Sequence, residues 1–246
     1  MADYTFLTYD VRDHVAHVEF GASGYAKSQE WELFDVLHRV NTDDDVHVMV
    51  LTSAGEKFGG GNHHEDDPFN GGNYYERAIK LFSTWMRVSK PIVVALSGPG
   101  SLTLALLSDI VVAERHVDIR DTHVVLGVPA ATGAFLWPQS VGLAKAKRHL
   151  LVGDGIRAEE AVSMGLIAEV VDTGAGAARA RELAAGIATL NPTGVQMSKR
   201  ALNAWMEQNF NPILQHGLGL EFLHFPAGLF DGSATASKET TDGSEG

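Results

Sequence analysis

Two apolar runs, residues 46–52 and 91–96, each lead directly into a glycine-bearing turn, and a helix-patterned stretch lies between them. Runs of this length with almost no polar interruption are buried strands, because a strand with one wet face would alternate. Residues 74–88 place Ala78, Leu81, Phe82 and Trp85 on one stripe at helical spacing, and Pro91 stops that helix. The repeating unit is therefore strand, glycine turn, amphipathic helix, strand.

The same grammar extends in both directions. His14 to Phe20 alternates, with Ala16, Val18 and Phe20 on one face and His17 and Glu19 on the other, as a half-buried strand does. Its histidines read as solvent-facing. Residues 28–40 carry Leu33, Leu37 and Val40 at helical spacing before the Asn41-Thr42-Asp43-Asp44-Asp45 break. Residues 102–107 read as a short helix, 109–113 as a strand, 124–129 as extended chain and 134–152 as mainly helical. From residue 158 onward a helix over 158–164 stops at Gly165. A strand over 166–171 and helices over 177–190, 193–208 and 212–223 follow. An α/β core of βα units with a helical C-terminal region is expected, and residues 233–246, small, polar and charged, do not bury enough apolar area to offset their ordering entropy.

Composition narrows the function classes. The 246 residues are 45% hydrophobic, and 19 basic against 31 acidic residues give a net charge of −12, which repels nucleic acid and anionic lipid. There is no cysteine, which removes disulfides, thiolate nucleophiles and cysteine-based zinc sites. No stretch has the roughly 18 apolar residues of a membrane helix, and no leader pattern opens the chain, so a cytoplasmic location is the default expectation.

The chemistry is expected at the two glycine turns, Phe58-Gly59-Gly60-Gly61 and Ser97-Gly98-Pro99-Gly100-Ser101. Two backbone N–H groups aimed at one oxygen form an oxyanion hole, and glycine lets a substrate carbonyl come within about 3 Å of the backbone nitrogen. Neither turn matches a nucleotide-phosphate motif. The run His63-His64-Glu65-Asp66-Asp67 contains metal-ligating residue types, but neighbours in one loop rarely converge on one ion, and no metal is expected.

Several segments in this order carry a resemblance: Lys57-Phe58-Gly59-Gly60-Gly61, Lys90-Pro91-Ile92-Val93-Val94-Ala95-Leu96-Ser97-Gly98, Ser108-Asp109-Ile110-Val111-Val112-Ala113, Leu126-Gly127-Val128-Pro129, and Ala158-Glu159-Glu160-Ala161-Val162-Ser163-Met164-Gly165-Leu166-Ile167. Together they resemble the crotonase (enoyl-CoA hydratase/isomerase) superfamily over residues 5–225. The resemblance implies a ββα spiral core over 1–190, a helical trimerisation region over 191–232, a tail over 233–246, and a homotrimer or hexamer. It also implies an oxyanion hole at Gly60 and Gly100, with Ser101 as the alternative second donor because the glycine-rich stretch is short here. His63, in the place of the family's usual aspartate, is expected to face substrate. Lys27 and Lys57 are candidates to meet coenzyme A phosphates.

Departures from the family pattern bear on the reaction. The two glutamates that hydratases use fall here at about Thr103 and at His123, so neither is a carboxylate. An imidazole exchanges protons near neutral pH, which makes His123 the candidate acid/base, with Asp121 as its possible orienting partner. A histidine at this position, the Ser-Gly-Pro turn and Leu136-Trp137-Pro138-Gln139 also resemble the oxocamphor hydrolase branch, whose members cleave cyclic β-diketones. The aspartate that assists there is Ala131 here. Three functions stay open: an acyl-CoA hydratase or isomerase, as in fatty acid metabolism, a carbon–carbon hydrolase of β-diketones, and a non-catalytic acyl-CoA binder. No cofactor is expected beyond the coenzyme A carried by the substrate.

Overall fold

The computed structural model describes residues 4–22, 30–55, 58, 73–100 and 102–223. Strands β1 (Leu7–Arg12) and β2 (Val15–Phe20) form an antiparallel hairpin whose two turn residues, Asp13 and His14, both take positive φ, 50° and 63°. That turn geometry matches the twist of the strands it joins. From β2 onward the pairing is parallel, through β3 (Val48–Ser53), β4 (Ile92–Leu96), β5 (Ile110–Glu114) and β8 (Glu169–Val171), in the order β1-β2-β3-β4-β5-β8. Helices α1 (Glu30–Thr42), α2 (Asn73–Arg87) and α3 (Leu102–Leu106) lie on the connections.

Both faces of the sheet are covered, which explains the apolar runs. Met49 and Leu51 of β3 join the main core with Leu33, Leu37 and Trp85, while Val48 and Val50 face the other way. There they meet Ala180, Ala184 and Ala188 of α7 (Gly176–Ala188), a stripe of methyl groups at one-turn spacing that lets the helix lie close to the strands. Lys199, on α8 (Pro192–Asn209), ties that helix to the sheet: its Nζ donates to Asp109 Oδ2 at 2.7 Å and to Lys90 O at 2.9 Å.

The elements that carry the site lie beyond β5. A two-stranded sheet pairs β6 (Asp118–Ile119) with β7 (Ile156–Arg157), followed by α6 (Ala158–Met164). Between the two strands run a 3-10 turn at Val124–Leu126, α4 (Ala131–Val141) and α5 (Leu143–Val152). Residues 124–129 are thus not extended. Leu126 N–H reaches both Thr122 O and His123 O at 3.0 Å, and Gly127 takes φ 80° to close the turn. The helical stretch over 134–152 is divided at Gly142, φ 78°. Near the C-terminus, residues Phe210–Gln215 are π-helical before α9 (His216–Leu223). Phe210, Leu214 and Leu218 enter the same core as the strands. Among the described residues no helix is long and apolar enough to cross a membrane.

Candidate active site

The glycine turn after β4 runs against the loop after β3. The Phe58 N–H donates to Pro99 O at 2.8 Å, and Phe58 pairs with Gly100 in an isolated parallel bridge. The approach leaves no room for a side chain: a Cβ on Gly100, whose φ is +154°, would lie 1.9 Å from Phe58 O. The residue type at 100 is therefore dictated by the joint between the two loops. Gly60, His63, Lys27, Lys57 and Ser101, together with the 233–246 tail, lie outside the described residues.

Gly100 also lines a cavity of about 90 Å³ whose wall includes Thr103, His123, Thr132 and Leu136. Thr103 Oγ1 donates to Thr132 Oγ1 at 3.1 Å, so a hydroxyl pair stands in the chamber wall. On the other side of the turn, a second cavity of about 390 Å³ is lined by Gly98, Gly100, His116 and Arg120. One turn thus borders both a small chamber and a roomier space whose wall carries Arg120 paired with Asp118.

His123 and Asp121 are brought together, though not as neighbours on one face of an extended segment. His123 sits in right-handed helical backbone, φ −52° and ψ −54°, at the start of the 3-10 turn. Asp121 Oδ1 accepts from the His123 backbone N–H at 3.1 Å and meets His123 Nδ1 at 2.6 Å. The carboxylate thereby fixes both the turn and the ring. Gly133 makes room for it, since a Cβ there would fall 2.3 Å from Asp121 Oδ2.

The far side of the ring faces a carboxylate that the sequence reading passed over. Glu221 Oε1 of α9 lies 3.8 Å from His123 Nε2, and the Glu221 side chain is only 3% exposed. Glu221 shares the inward face of α9 with Leu218, one turn away, so a charge in the apolar run Leu218-Gly219-Leu220-Glu221-Phe222-Leu223 was the available signal. Gly217 allows the helix to close in, because a Cβ there would sit 3.0 Å from Ala131 Cα. Ala131 is here a buried contact between α4 and α9.

Burial works against charge on the His123 ring. The hydrogen bond and charge of Asp121 and the charge of Glu221 outweigh it and hold the pKa above its ordinary 6.5. Asp121 at Nδ1 fixes the tautomer in which Nδ1 carries hydrogen, leaving Nε2 to accept a proton in the neutral ring. With Glu221 opposite, Nε2 can take up a proton and have the resulting charge stabilised, or release it to an acceptor in the cavity.

Residues 26–220 match the profile of the enoyl-CoA hydratase/isomerase family. The chain is 34% identical over 207 residues to (E)-benzylidenesuccinyl-CoA hydratase of Thauera aromatica, covering 79% of this chain and 81% of that protein. It is 31% identical over 185 residues to 1,2-epoxyphenylacetyl-CoA isomerase of Escherichia coli K12, covering 70% and 71%. Among solved structures, an enoyl-CoA hydratase/isomerase from Mycobacterium paratuberculosis superposes with TM-score 0.83 at 25% identity, covering 94% of this chain and 98% of that one. The β-diketone hydrolase ABDH from Anabaena, bound to (S)-3-oxocyclohexyl acetic acid, shares the fold with TM-score 0.77 at 19% identity, covering 89% and 94%.

Proposed function

Because this chain belongs to the enoyl-CoA hydratase/isomerase family, the crotonase superfamily, we propose that it acts on an acyl-CoA, moving a proton next to the thioester carbonyl while backbone N–H groups hold the enolate oxygen. The observation that carries this is the shared cavity: the Gly100 turn and the half-buried, carboxylate-flanked His123 line one chamber. The oxyanion donors are Gly60 and Gly100, and His63 contacts the acyl group. His123 is the acid/base, Asp121 sets its tautomer, and Glu221 balances its charge.

The cavity beside His116 and Arg120 offers room for the coenzyme A portion, with the Arg120 guanidinium, paired to Asp118, at its wall. No further cofactor takes part. Both curated relatives named above act on CoA thioesters of aryl-bearing acids by their names, so cinnamoyl-CoA belongs in the assay beside crotonyl-CoA. The active form is a homotrimer or hexamer; exposed Leu151, Val152, Leu202 and Trp205 supply apolar surface for such an assembly. Light scattering on the eluting protein measures it.

A specific feature favours a second reading, carbon–carbon hydrolysis of a cyclic β-diketone. Glu221 supplies a carboxylate beside His123 that offsets the missing acid at Ala131. His123 would deprotonate water, the hydroxyl would add to one ring carbonyl, and the bond to the central carbon would break to leave an enolate on the same N–H groups.

Calorimetric titration with coenzyme A and crotonyl-CoA separates the two. Micromolar binding, with turnover that falls roughly 10²- to 10⁴-fold in His123→Ala, supports the acyl-CoA reading. Silence at millimolar ligand together with turnover of a cyclic diketone replaces it with the hydrolase. Binding with no turnover of any substrate, unchanged in His123→Ala, makes the protein an acyl-CoA binder.

A further inference from the structure

Behind the His123 chamber lies a larger cavity of about 730 Å³ with no assigned role. It sits between α3, α4 and α8, its lining includes Leu166, Ile167, Ile187, Val195 and Met206, and it opens to the surface at the exposed Leu202. Several polar side chains in its wall are hydrogen-bonded within the protein. Gln139 Nε2 donates to Phe135 O at 2.6 Å, Ser198 Oγ to Gly194 O at 2.8 Å and Asn203 Nδ2 to Met86 O at 2.9 Å. Lys199 is held by Asp109 and Lys90, so what the wall offers a ligand is mainly aliphatic surface.

Leu106 of α3 and Leu136 of α4 line both this cavity and the 90 Å³ chamber. They are the two residues common to both walls, and Leu136 is buried at 5% exposure. The small chamber has space for a short acyl group, and the volume a longer one would need stands immediately behind two leucine side chains.

We propose that Leu106 and Leu136 form the partition that sets acyl size in this protein, and that the larger cavity is the apolar volume opened when the partition is thinned. The proposal rests on the acyl-CoA reading for its ligand but not for its geometry. Removing branched carbons between two spaces joins them, and an apolar tail gains by filling the joined space instead of remaining in water. Discrimination by such a wall is a difference between chain lengths, so the quantity to read is a ratio.

The test measures binding of saturated acyl-CoAs from C4 to C10 to wild type, Leu106→Ala and Leu136→Ala, with melting temperatures to identify any variant that fails to fold. The wild type is expected to bind decanoyl-CoA more weakly than butyryl-CoA, and Leu106→Ala to raise the C10 to C4 ratio at least about tenfold, the size of a change of one to two methylenes in a pocket. Adding Val195→Phe, which takes up part of the larger cavity, is expected to reduce the gain. An unchanged ratio, or a gain that Val195→Phe leaves undiminished, overturns the partition.

If wild type binds no acyl-CoA of any length, it is the acyl-CoA reading that fails. The same ratio is then read with cyclohexane-1,3-diones bearing alkyl tails of matching lengths. Xenon-pressurised crystals decide the geometry without any substrate, because xenon enters apolar voids. Leu106→Ala is expected to gain xenon between the two cavities, and its absence there overturns the proposal.

Discussion

Asp121 Oδ1 meets both the backbone N–H and the ring Nδ1 of His123, at 3.1 and 2.6 Å, so one carboxylate oxygen sets the path of the chain and the state of the imidazole. A ring held this way keeps its proton to higher pH than a free one. Where Nε2 must accept a proton, the rate rises as pH climbs through the elevated His123 pKa. Asp121→Asn removes a charge that raises this pKa, so its kcat–pH limb is expected at lower pH, with kcat down about 10²-fold or more. A limb that stays in place in Asp121→Asn rules out His123 as the titrating group.

The same shift has a sign for stability. A raised folded pKa contributes stability that is complete below the unfolded value of 6.5 and is lost as pH rises through the folded value. The stability difference between wild type and His123→Gln is expected to shift against wild type as pH rises across that window, read by urea unfolding at a series of pH values.

Glu221→Gln keeps the shape of the α9 contact and removes its charge. With one of the two carboxylates gone, the imidazolium is less stabilised. The expected result is a loss of about tenfold to 10²-fold in kcat, a displacement of the limb to lower pH and little change in melting temperature. A variant that melts early with an unmoved pH profile marks Glu221 as a packing residue only.

Gly133→Ala tests positioning without replacing either ionisable group. The added methyl would lie 2.3 Å from Asp121 Oδ2 and 2.7 Å from Leu150 Cδ2, so the carboxylate has to move. The pH limb is expected to move in the direction of Asp121→Asn. Restoration by a second substitution, Leu150→Ala, would assign the effect to the leucine instead.

Far from the site, Glu32 is buried and accepts from Thr5 N–H and Oγ1 and from the N–H groups of Phe6 and Leu7. Burial raises its pKa, but the four hydrogen bonds together pull it below 4.5. Its stabilisation is complete above pH 4.5 and is lost as pH falls through the folded value. Glu32→Gln, which presents an N–H₂ to some of these donors, is expected to lower stability by about 2–3 kcal/mol at pH 7 in urea unfolding.

The strands at 48–53 and 92–96 and helix α2 were legible because their side chains report local covering, and covering has a period. The turn at 124–126 was not, since it depends on which carbonyls Leu126 N–H reaches and on Gly127 adopting φ 80°. Residues 212–223 read as one helix, yet Pro212, having no N–H to donate, falls in a π-helical stretch before α9. His123 was found from its place in a motif. Glu221 was not, because what makes it part of the site is a contact between α9 and the 3-10 turn, and no local pattern records that.

The bridge between Phe58 and Gly100 joins two loops that grow from neighbouring central strands, whereas Asp121, His123 and Glu221 all come from outside the sheet. Heredity can therefore edit the two halves separately. A substitution on the outlying turn or terminal helix leaves the joint between the two strand ends as it is.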